Sequence, residues 1–425
     1  MTASPALVDH LFRHAAGQMV ARIARILGPG HLDLAEEVVQ DALLRALQTW
    51  PYGGVPDNPR GWLFQVARNR ALDLIRRETN WRGLLDRTDL IETLTPQGVQ
   101  DHGESVLDEE LAMMFMCCHP ALHPAARVPL TLKLVGGFSI EEIAGALLTR
   151  RTTIAQRLVR AKRQIRDEKI PLEIPSADAL AERIDPVIEV LYLLFNEGYA
   201  AHGGENLTRA DLCAEAIRLA KLLVQLPHPA FAPRLHALLA LMLFQASRLP
   251  ARVNDLGDLL LLSEQDRSRW DQGLIAEGFR HFDRALSGKE ITSFHVEAAI
   301  GAYHAAGTDR AATDWPYLLR LYDDLLALKP TPIVALNRAI ALAMVEGPEA
   351  GIRALEEIKA HEAFRDYYLL PAVLAGLEVR AGAMAVAARH YREALAMPCS
   401  APERRFMRRE LARLTDVKSP SARHW

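Results

Sequence analysis

Helical periodicity along almost the whole chain is the feature that most constrains its fold. Apolar residues recur at spacings of three and four in nearly every long segment. Such spacing places them on one face of an α-helix. Runs in which β-branched and polar residues alternate, the pattern typical of strands, are almost absent. The chain is therefore predicted to be all-α.

Two stretches divide the 425 residues into three helical blocks. Residues 83–105 have the polar composition of a flexible linker. Pro171 and Pro175 indicate a second connector, because a proline disfavours helix in the residue before it. The length also favours two or three domains. We predict a first domain at 5–82, a linker at 83–105, a second domain at 106–170 and a third at 178–425.

Composition excludes several classes of protein. The chain is 50% hydrophobic and 24% charged with a net charge of −3, which is ordinary for a globular protein and unlike a uniformly basic coat for nucleic acid. Its four cysteines are too few for a disulfide framework and fit a reducing cytoplasm. Neither a signal peptide nor an apolar stretch of membrane-spanning length is apparent. We expect a cytoplasmic protein with no membrane partner.

A helix is predicted over about 33–49, and its two faces differ. The predicted buried face consists of Ala35, Val38, Val39, Ala42 and Ala46. The opposite face carries Glu37, Gln40, Asp41, Leu44 and Gln48. Acidic groups beside an exposed leucine are able to bind a partner, although a merely solvated face is the alternative.

Asn58 and Pro59 predict the start of another helix, as its N-cap and its first residue. The expected buried side is Leu63, Val66, Ala67, Ala71, Leu74 and Ile75. A second stripe carries Trp62, Gln65, Asn69, Leu72, Asp73 and Arg76, flanked by Arg60, Arg68, Arg70, Arg77 and Arg82. Guanidinium groups hold phosphates, and aromatic and amide groups contact unpaired bases. In the alternative, Trp62 belongs to the core and the arginines are a solvated face.

Residues 139–166 predict a helix-turn-helix. Ser139 and Glu142 form a capping box for a short helix that ends near Leu148. A second helix is expected to start at about Arg151. Its predicted buried face consists of Ile154, Leu158, Ala161 and Ile165. Its predicted outer face consists of Thr152, Gln156, Arg160 and Arg163, with Thr153 at the edge. The basic residues between positions 150 and 166 are interrupted by no acidic one. Such a helix suits the major groove, where glutamine pairs with adenine and arginine with guanine while other basic groups neutralise phosphates. A basic amphipathic helix on an ordinary bundle is the alternative.

Together these motifs resemble the sigma factors of bacterial RNA polymerase. Residues 34–42 resemble the polymerase-binding helix of sigma region two, and residues 58–63 and 67–77 resemble the segment that opens and reads the −10 promoter element. Residues 138–144 and 152–162 resemble sigma region four, which binds the −35 element. Neither a region three nor an acidic N-terminal region is found. The resemblance, over residues 5–170, is therefore to the compact extracytoplasmic-function (ECF) group of the sigma-70 family.

This resemblance implies two partners, core RNA polymerase and promoter DNA, and a set of site residues. Core polymerase would contact Glu37, Gln40, Asp41 and Arg45. The −10 DNA would contact Trp62, Asn69, Asp73, Arg76 and Arg77. The −35 DNA would contact Thr152, Thr153, Gln156, Arg157, Arg160 and Arg163. A helix-turn-helix regulator with a protein-interaction repeat domain, which does not replace sigma, is the alternative. The stripe around Asn69 and Asp73 favours sigma, because a simple repressor has no use for a strand-opening helix.

The residues from 178 onward resemble the C-terminal tetratricopeptide-like (TPR-like) extension of one sigma subgroup. The similarity depends on residues 191–199, 202–204, 314–315 and 335–341, together with loosely recurring helical pairs. Stacked helical pairs make concave surfaces that suit a protein or peptide partner. We therefore expect this domain to regulate the sigma core, and a plain stabilising bundle is the alternative.

Two constellations are discounted. Cys117, Cys118, His119 and His123 lie close together, but the cysteines are adjacent and Pro120 and Pro124 break the helix that would align the histidines. We expect no metal there, although the same run resembles a signature of that sigma subgroup. No nucleophile elbow or phosphate loop is present in the sequence. We therefore expect no cofactor and no catalytic activity.

Overall fold

The structure, a computed structural model, consists mainly of α-helices. It describes residues 5–82, 103–147, 149–200, 208–226, 230–254, 257–307 and 313–415, with the side chains of 5–15, 75–82 and 103–107 left out. The prediction of an all-α fold is confirmed, since the described ranges contain no strand and one isolated bridge between Val253 and Leu259. The chain divides into two compact units, Met1–Leu193 and Leu194–Trp425.

The first unit begins with α1 (Pro5–Leu27), α2 (Leu32–Gly53) and α3 (Pro59–Arg82). The predicted buried face of α2 is confirmed, because all five of its residues are at most 1% exposed. The α3 helix starts where Asn58 and Pro59 place it, and the Asn58 side chain accepts a hydrogen bond of 2.9 Å from the Gly61 amide. Local sequence therefore sets both the start of α3 and the faces of α2.

Four further helices complete most of the first unit: α4 (Gly103–Cys117), α5 (Pro124–Leu134), α6 (Ile140–Ala146) and α7 (Arg151–Asp167). They pack directly on the first three. In α1, Gly17 lies so close to the chain after α5 that an added Cβ would be 1.9 Å from the Val135 carbonyl oxygen. Only a glycine fits such an approach of backbone to helix. The first two predicted domains are thus parts of one unit.

The next helix, α8 (Ala177–Tyr199), contains the division between the two units. Near its start, the Arg183 guanidinium donates a hydrogen bond of 3.0 Å to the Phe115 carbonyl of α4. The beginning of α8 therefore packs with the first unit, although the sequence assigns residue 178 to the start of the third domain.

The second unit contains ten helices within its described residues. They are α9 (Ala210–Leu223), α10 (Ala232–Ala246), α11 (Gln272–Ala285), α12 (Ser293–Ala306), α13 (Trp315–Leu328), α14 (Pro332–Glu346), α15 (Pro348–Ile358), α16 (Leu369–Arg380), α17 (Met384–Ala396) and α18 (Ala401–Thr415). Helices adjacent in sequence pack on each other through most of the unit.

Phe244 of α10 is the central side chain where α10, α11 and α12 meet. It is 1% exposed, and an added Cβ at Gly278 or Gly301 would be 2.7 Å or 3.1 Å from it. Phe279 contacts it edge to face at 5.0 Å between ring centroids. The two glycines therefore let the neighbouring helices close around one aromatic ring. Across the described residues, we find no helix with the length and apolar composition needed to cross a membrane.

Candidate nucleic-acid interface

The helix-turn-helix is present where the sequence predicts it. The Glu142 amide donates to the Ser139 hydroxyl at 3.1 Å, and the Ser139 amide donates to the Glu142 carboxylate at 2.8 Å. This capping box, which satisfies two amides at the start of α6, is confirmed. The turn is short, since α6 ends at Ala146 and α7 begins at Arg151.

The two faces of α7 are also as predicted. Ile154, Leu158, Ala161 and Ile165 are each at most 3% exposed and anchor the helix in the core. Thr152, Gln156, Arg160 and Arg163 are exposed, while Thr153 and Arg157 are half-buried at the edge. All six predicted −35 residues thus share one accessible side of α7.

Arg157 and Arg160 line a cavity of about 330 Å³ between α7 and the start of α5. His123, the N-cap of α5, and Gln164 line it as well. Neither arginine forms an ion pair within the part of the chain that the structure describes. By contrast, Arg163 lies 3.2 Å from Asp167 in an exposed pair. Sequence reasoning missed this basic cavity, because it needs the helix before the helix-turn-helix as one of its walls.

Lys162 is the one basic residue of α7 that the structure removes from the DNA-facing set. Its ammonium donates to the Glu36 carboxylate, and it lies 2.8 Å from the Asp33 carboxylate, both in α2. The Lys162 side chain is 13% exposed. Burial alone would lower the pKa of Lys162, but the nearby Glu36 charge and the hydrogen bonds to Asp33 and Glu36 raise it above the ordinary lysine value. Lys162 therefore faces α2 and does not lie on the exposed face of α7.

The predicted polymerase-binding residues lie on the outer face of α2. Glu37, Gln40 and Arg45 are exposed. Asp41 is half-buried, and its carboxylate lies 2.9 Å from the Arg70 guanidinium of α3. Asp41 therefore already has a structural partner, which holds α2 against α3.

Exposed leucines accompany these polar groups on α2. Leu44 is 55% exposed and Leu47 is 53% exposed. Apolar side chains at this exposure, next to acidic and basic groups, form the mixed surface found at protein–protein contacts.

The predicted −10 residues on α3 fall into three groups. Asn69 and Asp73 are exposed. Trp62 is half-buried, and its ring contacts Trp50 edge to face at 5.6 Å between centroids. The side chains of Arg76 and Arg77 lie outside the described residues.

Two arginines of α3 differ from the expectation that they flank the stripe as free cations. Arg68 is 9% exposed, so it belongs to the buried side of the helix. Arg70 is paired with Asp41. The pairing of Arg70 is a contact between helices that the period of α3 does not reveal.

The cysteine–histidine run has a structural explanation. Cys117 and Cys118 are at most 1% exposed, and burial raises the pKa of the Cys118 thiol to about 12. The Nδ1 atoms of His119 and His123 each accept a backbone amide two residues later, at 3.2 Å. The thiols fill the core and the imidazoles cap turns, and no cluster able to hold a metal occurs among the described residues.

Comparisons with known families match this arrangement. A model of sigma-70 region 2 matches residues 11–81, which include α2 and α3. A model of sigma-70 region 4 matches residues 112–165, which include the helix-turn-helix. A family of unknown function, DUF6596, matches residues 183–286. The first unit is thus that of a transcription initiation factor of the sigma-70 type.

Similar proteins point to one group of that family. An uncharacterized protein of Rhizobium meliloti, R00370, is 37% identical over 387 residues, or 90% of each chain. The probable ECF RNA polymerase sigma factor SigI of Mycobacterium tuberculosis is 28% identical over 35% of this chain and 51% of its own. The ECF RNA polymerase sigma factor SigL of the same species is 35% identical over 31% of this chain and 72% of its own. The chain belongs to the ECF sigma factors of the sigma-70 family and carries a C-terminal helical extension.

Proposed function

We propose that this sigma factor directs promoter-specific initiation through three surfaces of its first unit. The outer face of α2 binds core RNA polymerase, the polar stripe of α3 opens and reads the −10 element, and the exposed face of α7 reads the −35 duplex. The observation that carries this proposal is that all three faces are accessible within one compact unit while their opposite sides form its core.

The face of α7 supports −35 recognition by its charge and shape. Arg157 and Arg160 form no ion pair among the described residues, so binding DNA breaks no ion pair of theirs there. Gln156 and Thr152 are exposed on the same side and supply hydrogen-bonding groups for base edges. Arginine contacts with phosphates release counterions, so this binding is expected to weaken as salt rises.

The stripe on α3 supports strand opening by its polarity. Asn69 and Asp73 project an amide and a carboxylate to solvent, and such groups hydrogen-bond to the edges of unpaired bases. Trp62 is braced by Trp50, which fixes the start of the stripe and leaves part of the indole accessible. A repressor that reads only duplex DNA needs no such surface.

The outer face of α2 supports binding to a protein partner. Leu44 and Leu47 supply apolar area that is more than half exposed. Glu37, Gln40 and Arg45 surround them with groups that give orientation and specificity.

Substitution of Arg160 by alanine tests the division between these surfaces. Each lost base contact typically costs about 1–3 kcal/mol, so we expect about 5- to 150-fold weaker binding to a −35 duplex. Binding to core polymerase should not change. Arg166→Ala is the matched control, because Arg166 is on the same helix but is already paired with Asp167.

The reverse pattern is expected on α2. Glu37→Ala should weaken binding to core polymerase and leave duplex binding intact. Fluorescence anisotropy with labelled DNA and with labelled core polymerase measures both. Loss of both activities in either variant contradicts the assignment of separate surfaces.

We further propose that the second unit regulates the sigma core. It contains more than half of the chain, and the structure shows neither a metal cluster nor a membrane-spanning helix among its described residues. Truncation should end after Tyr199 and not at residue 178, because the start of α8 packs against α4. Promoter-directed transcription by the truncated and full-length chains is then compared, with circular dichroism to verify folding. Equal activity and equal induction would refute a regulatory role.

A further inference from the structure

Three arginines of the second unit lie near one another, and two of them contact the same tryptophan. We call Arg248, Arg252 and Arg267, with Trp270, the arginine cluster. The guanidinium carbons of Arg248 and Arg267 lie 5.4 Å and 5.2 Å from the centroid of the Trp270 ring. Arg252 stacks on the Tyr199 ring at 4.0 Å. All three arginines lie in the connection between α10 and α11, Arg248 and Arg252 near its start and Arg267 near its end, where no helical period indicates that they meet.

The charge of the arginine cluster is uncompensated among the described residues. None of its three guanidiniums forms an ion pair there, whereas other arginines of the same unit do, such as Arg338 with Asp323 and Arg405 with Asp258. Burial and the charges of Arg252 and Arg267 lower the pKa of Arg248. Like charges held together in a partly buried place oppose one another unless an anion joins them.

Two titratable side chains beside the arginine cluster, those of His304 and Tyr322, do not supply that anion. Burial, then the charges of Arg248 and Arg267, lower the pKa of His304 to about 4, so it is neutral at pH 7. Burial raises the pKa of Tyr322 to about 12, so its hydroxyl keeps its proton. Among the described residues, no charge therefore offsets the three guanidiniums of the cluster.

Hydrogen-bond donors are also left over in the arginine cluster. Arg248 has one long bond, from Nε to the Gln265 side chain at 3.5 Å. Arg252 donates to the Tyr199 carbonyl, and Arg267 donates to the carbonyls of His304 and Gly307. Since each guanidinium has five N–H groups, several donors remain.

A second, independent observation comes from Trp270 itself. Trp270 is 3% exposed, and its indole N–H is buried without a hydrogen-bond acceptor among the described residues. Buried indole N–H groups normally find a partner. An orphaned donor beside uncompensated cations points to an oxyanion as the missing group.

We propose that the arginine cluster binds a phosphate group, either as the free ion or as the phosphate of a small monoester. A phosphate dianion offsets two of the three positive charges and has enough oxygens for two guanidinium forks and the indole N–H. A single carboxylate offsets one charge and has two oxygens. The inference goes beyond the proposed function, since the site stands whether or not this chain initiates transcription.

The test is a titration of the full-length chain with inorganic phosphate at constant ionic strength. Binding is measured by thermal unfolding and by isothermal titration calorimetry. Inorganic phosphate is expected to raise the melting temperature saturably, because a ligand that binds only the folded state stabilises it. Acetate and chloride at equal ionic strength serve as the comparison. Ribose 5-phosphate distinguishes the two sources, since tighter binding than inorganic phosphate assigns the site to a monoester and equal or weaker binding assigns it to the free ion.

Substitutions separate binding from a purely structural role. Arg248→Met should abolish the phosphate response and leave the phosphate-free protein at least as stable as the unaltered chain, because one of three opposing charges is gone. Arg248→Lys keeps the charge without the planar fork and should weaken binding by about tenfold. Arg320→Met is the control, since Arg320 also stacks on a ring, that of Tyr317 at 5.7 Å, but is exposed.

Two results would overturn the proposal. One is a response to phosphate no larger than that to chloride, or a saturable response to acetate alone. The other is a loss of stability in Arg248→Met with the phosphate response unchanged, which would make Arg248 a structural contact of Trp270 and Gln265 and not part of an anion site.

Discussion

Replacement of Lys162 by methionine probes the contact between α2 and α7 most directly. The ammonium of Lys162 bonds to Glu36, and both side chains are nearly buried, at 13% and 11% exposure. Methionine preserves the length and apolar stem of the lysine but removes the charge. The variant therefore leaves the Glu36 carboxylate buried with a weaker partner, Lys133, at 3.6 Å.

The size of the effect follows from these contacts. Breaking a buried ion pair by removing one partner typically costs about 3–5 kcal/mol. Lys133 remains near Glu36 and recovers part of this, while Asp33 is 80% exposed and adds little. We therefore expect the contact between α2 and α7 to lose about 2–3 kcal/mol of stability, at or just below the lower end of that range.

Hydrogen exchange with mass spectrometry measures the contact locally. A loss of 2–3 kcal/mol corresponds to about 30- to 150-fold faster exchange of the amides of α2 and α7, if they exchange through local opening. Arg151→Met is the control. Arg151 also pairs with a carboxylate, that of Glu141 at 2.8 Å, but both side chains of this pair are more than half exposed. That variant should change exchange by less than about fivefold. If Lys162→Met changes exchange no more than Arg151→Met does, the assignment of a buried ion pair is wrong.

Other predictions concern packing and pH. Gly17→Ala should destabilise the first unit by about 2–3 kcal/mol, because the new Cβ would lie 1.9 Å from the Val135 carbonyl oxygen. Gly145→Ala in α6 is the control, because a Cβ there would have no neighbouring atom within 4 Å. That variant should be neutral or stabilising by up to about 1 kcal/mol. Thermal unfolding followed by circular dichroism compares the two, and equal melting temperatures would contradict the close approach. Burial, followed by the nearby His236, lowers the pKa of His281 to about 4. The folded state then binds fewer protons than the unfolded state between about pH 6.5 and 4, so stability falls as the pH falls through this window. His281→Gln should flatten this fall in melting temperature, and a profile as steep as that of the unaltered chain would exclude His281 as its cause.

The features that the sequence predicted correctly are those set by neighbours along the chain. The stripe of Ile154, Leu158, Ala161 and Ile165 repeats with the period of a helix, and this period alone separates the buried face of α7 from the exposed one. The Ser139–Glu142 capping box is likewise a bond between residues three positions apart. Such features need no knowledge of the rest of the fold.

The features that the sequence missed depend on contacts across the fold. From sequence alone, Lys162 is indistinguishable from the other cations of the basic helix, because its partner Glu36 lies 126 positions away in the chain. One signal was available. Glu36 lies in the same stripe as Ala35 and Val39, and a carboxylate at a buried position of a helix requires a cation nearby.

The arginine cluster was not predicted for a related reason. Arg248, Arg252 and Arg267 lie in the connection between α10 and α11, where no period indicates which way a side chain points. The cysteine–histidine run shows the converse, that candidate ligands adjacent in sequence need not form a site. Four candidate ligands are adjacent in sequence, but the fold buries the thiols of Cys117 and Cys118 in the core and uses the imidazoles of His119 and His123 as caps.

Promoter-directed transcription with purified core RNA polymerase tests the central claim most directly. Promoters are first selected from genomic DNA by the full-length protein together with core polymerase, and run-off transcripts are then measured with and without this chain. A sigma factor should give transcripts that start at a fixed distance from a −10 and −35 pair and depend on the chain, with strong loss in Arg160→Ala. Duplex binding without initiation at any selected promoter would exclude a sigma factor and would instead indicate a helix-turn-helix regulator that does not replace sigma.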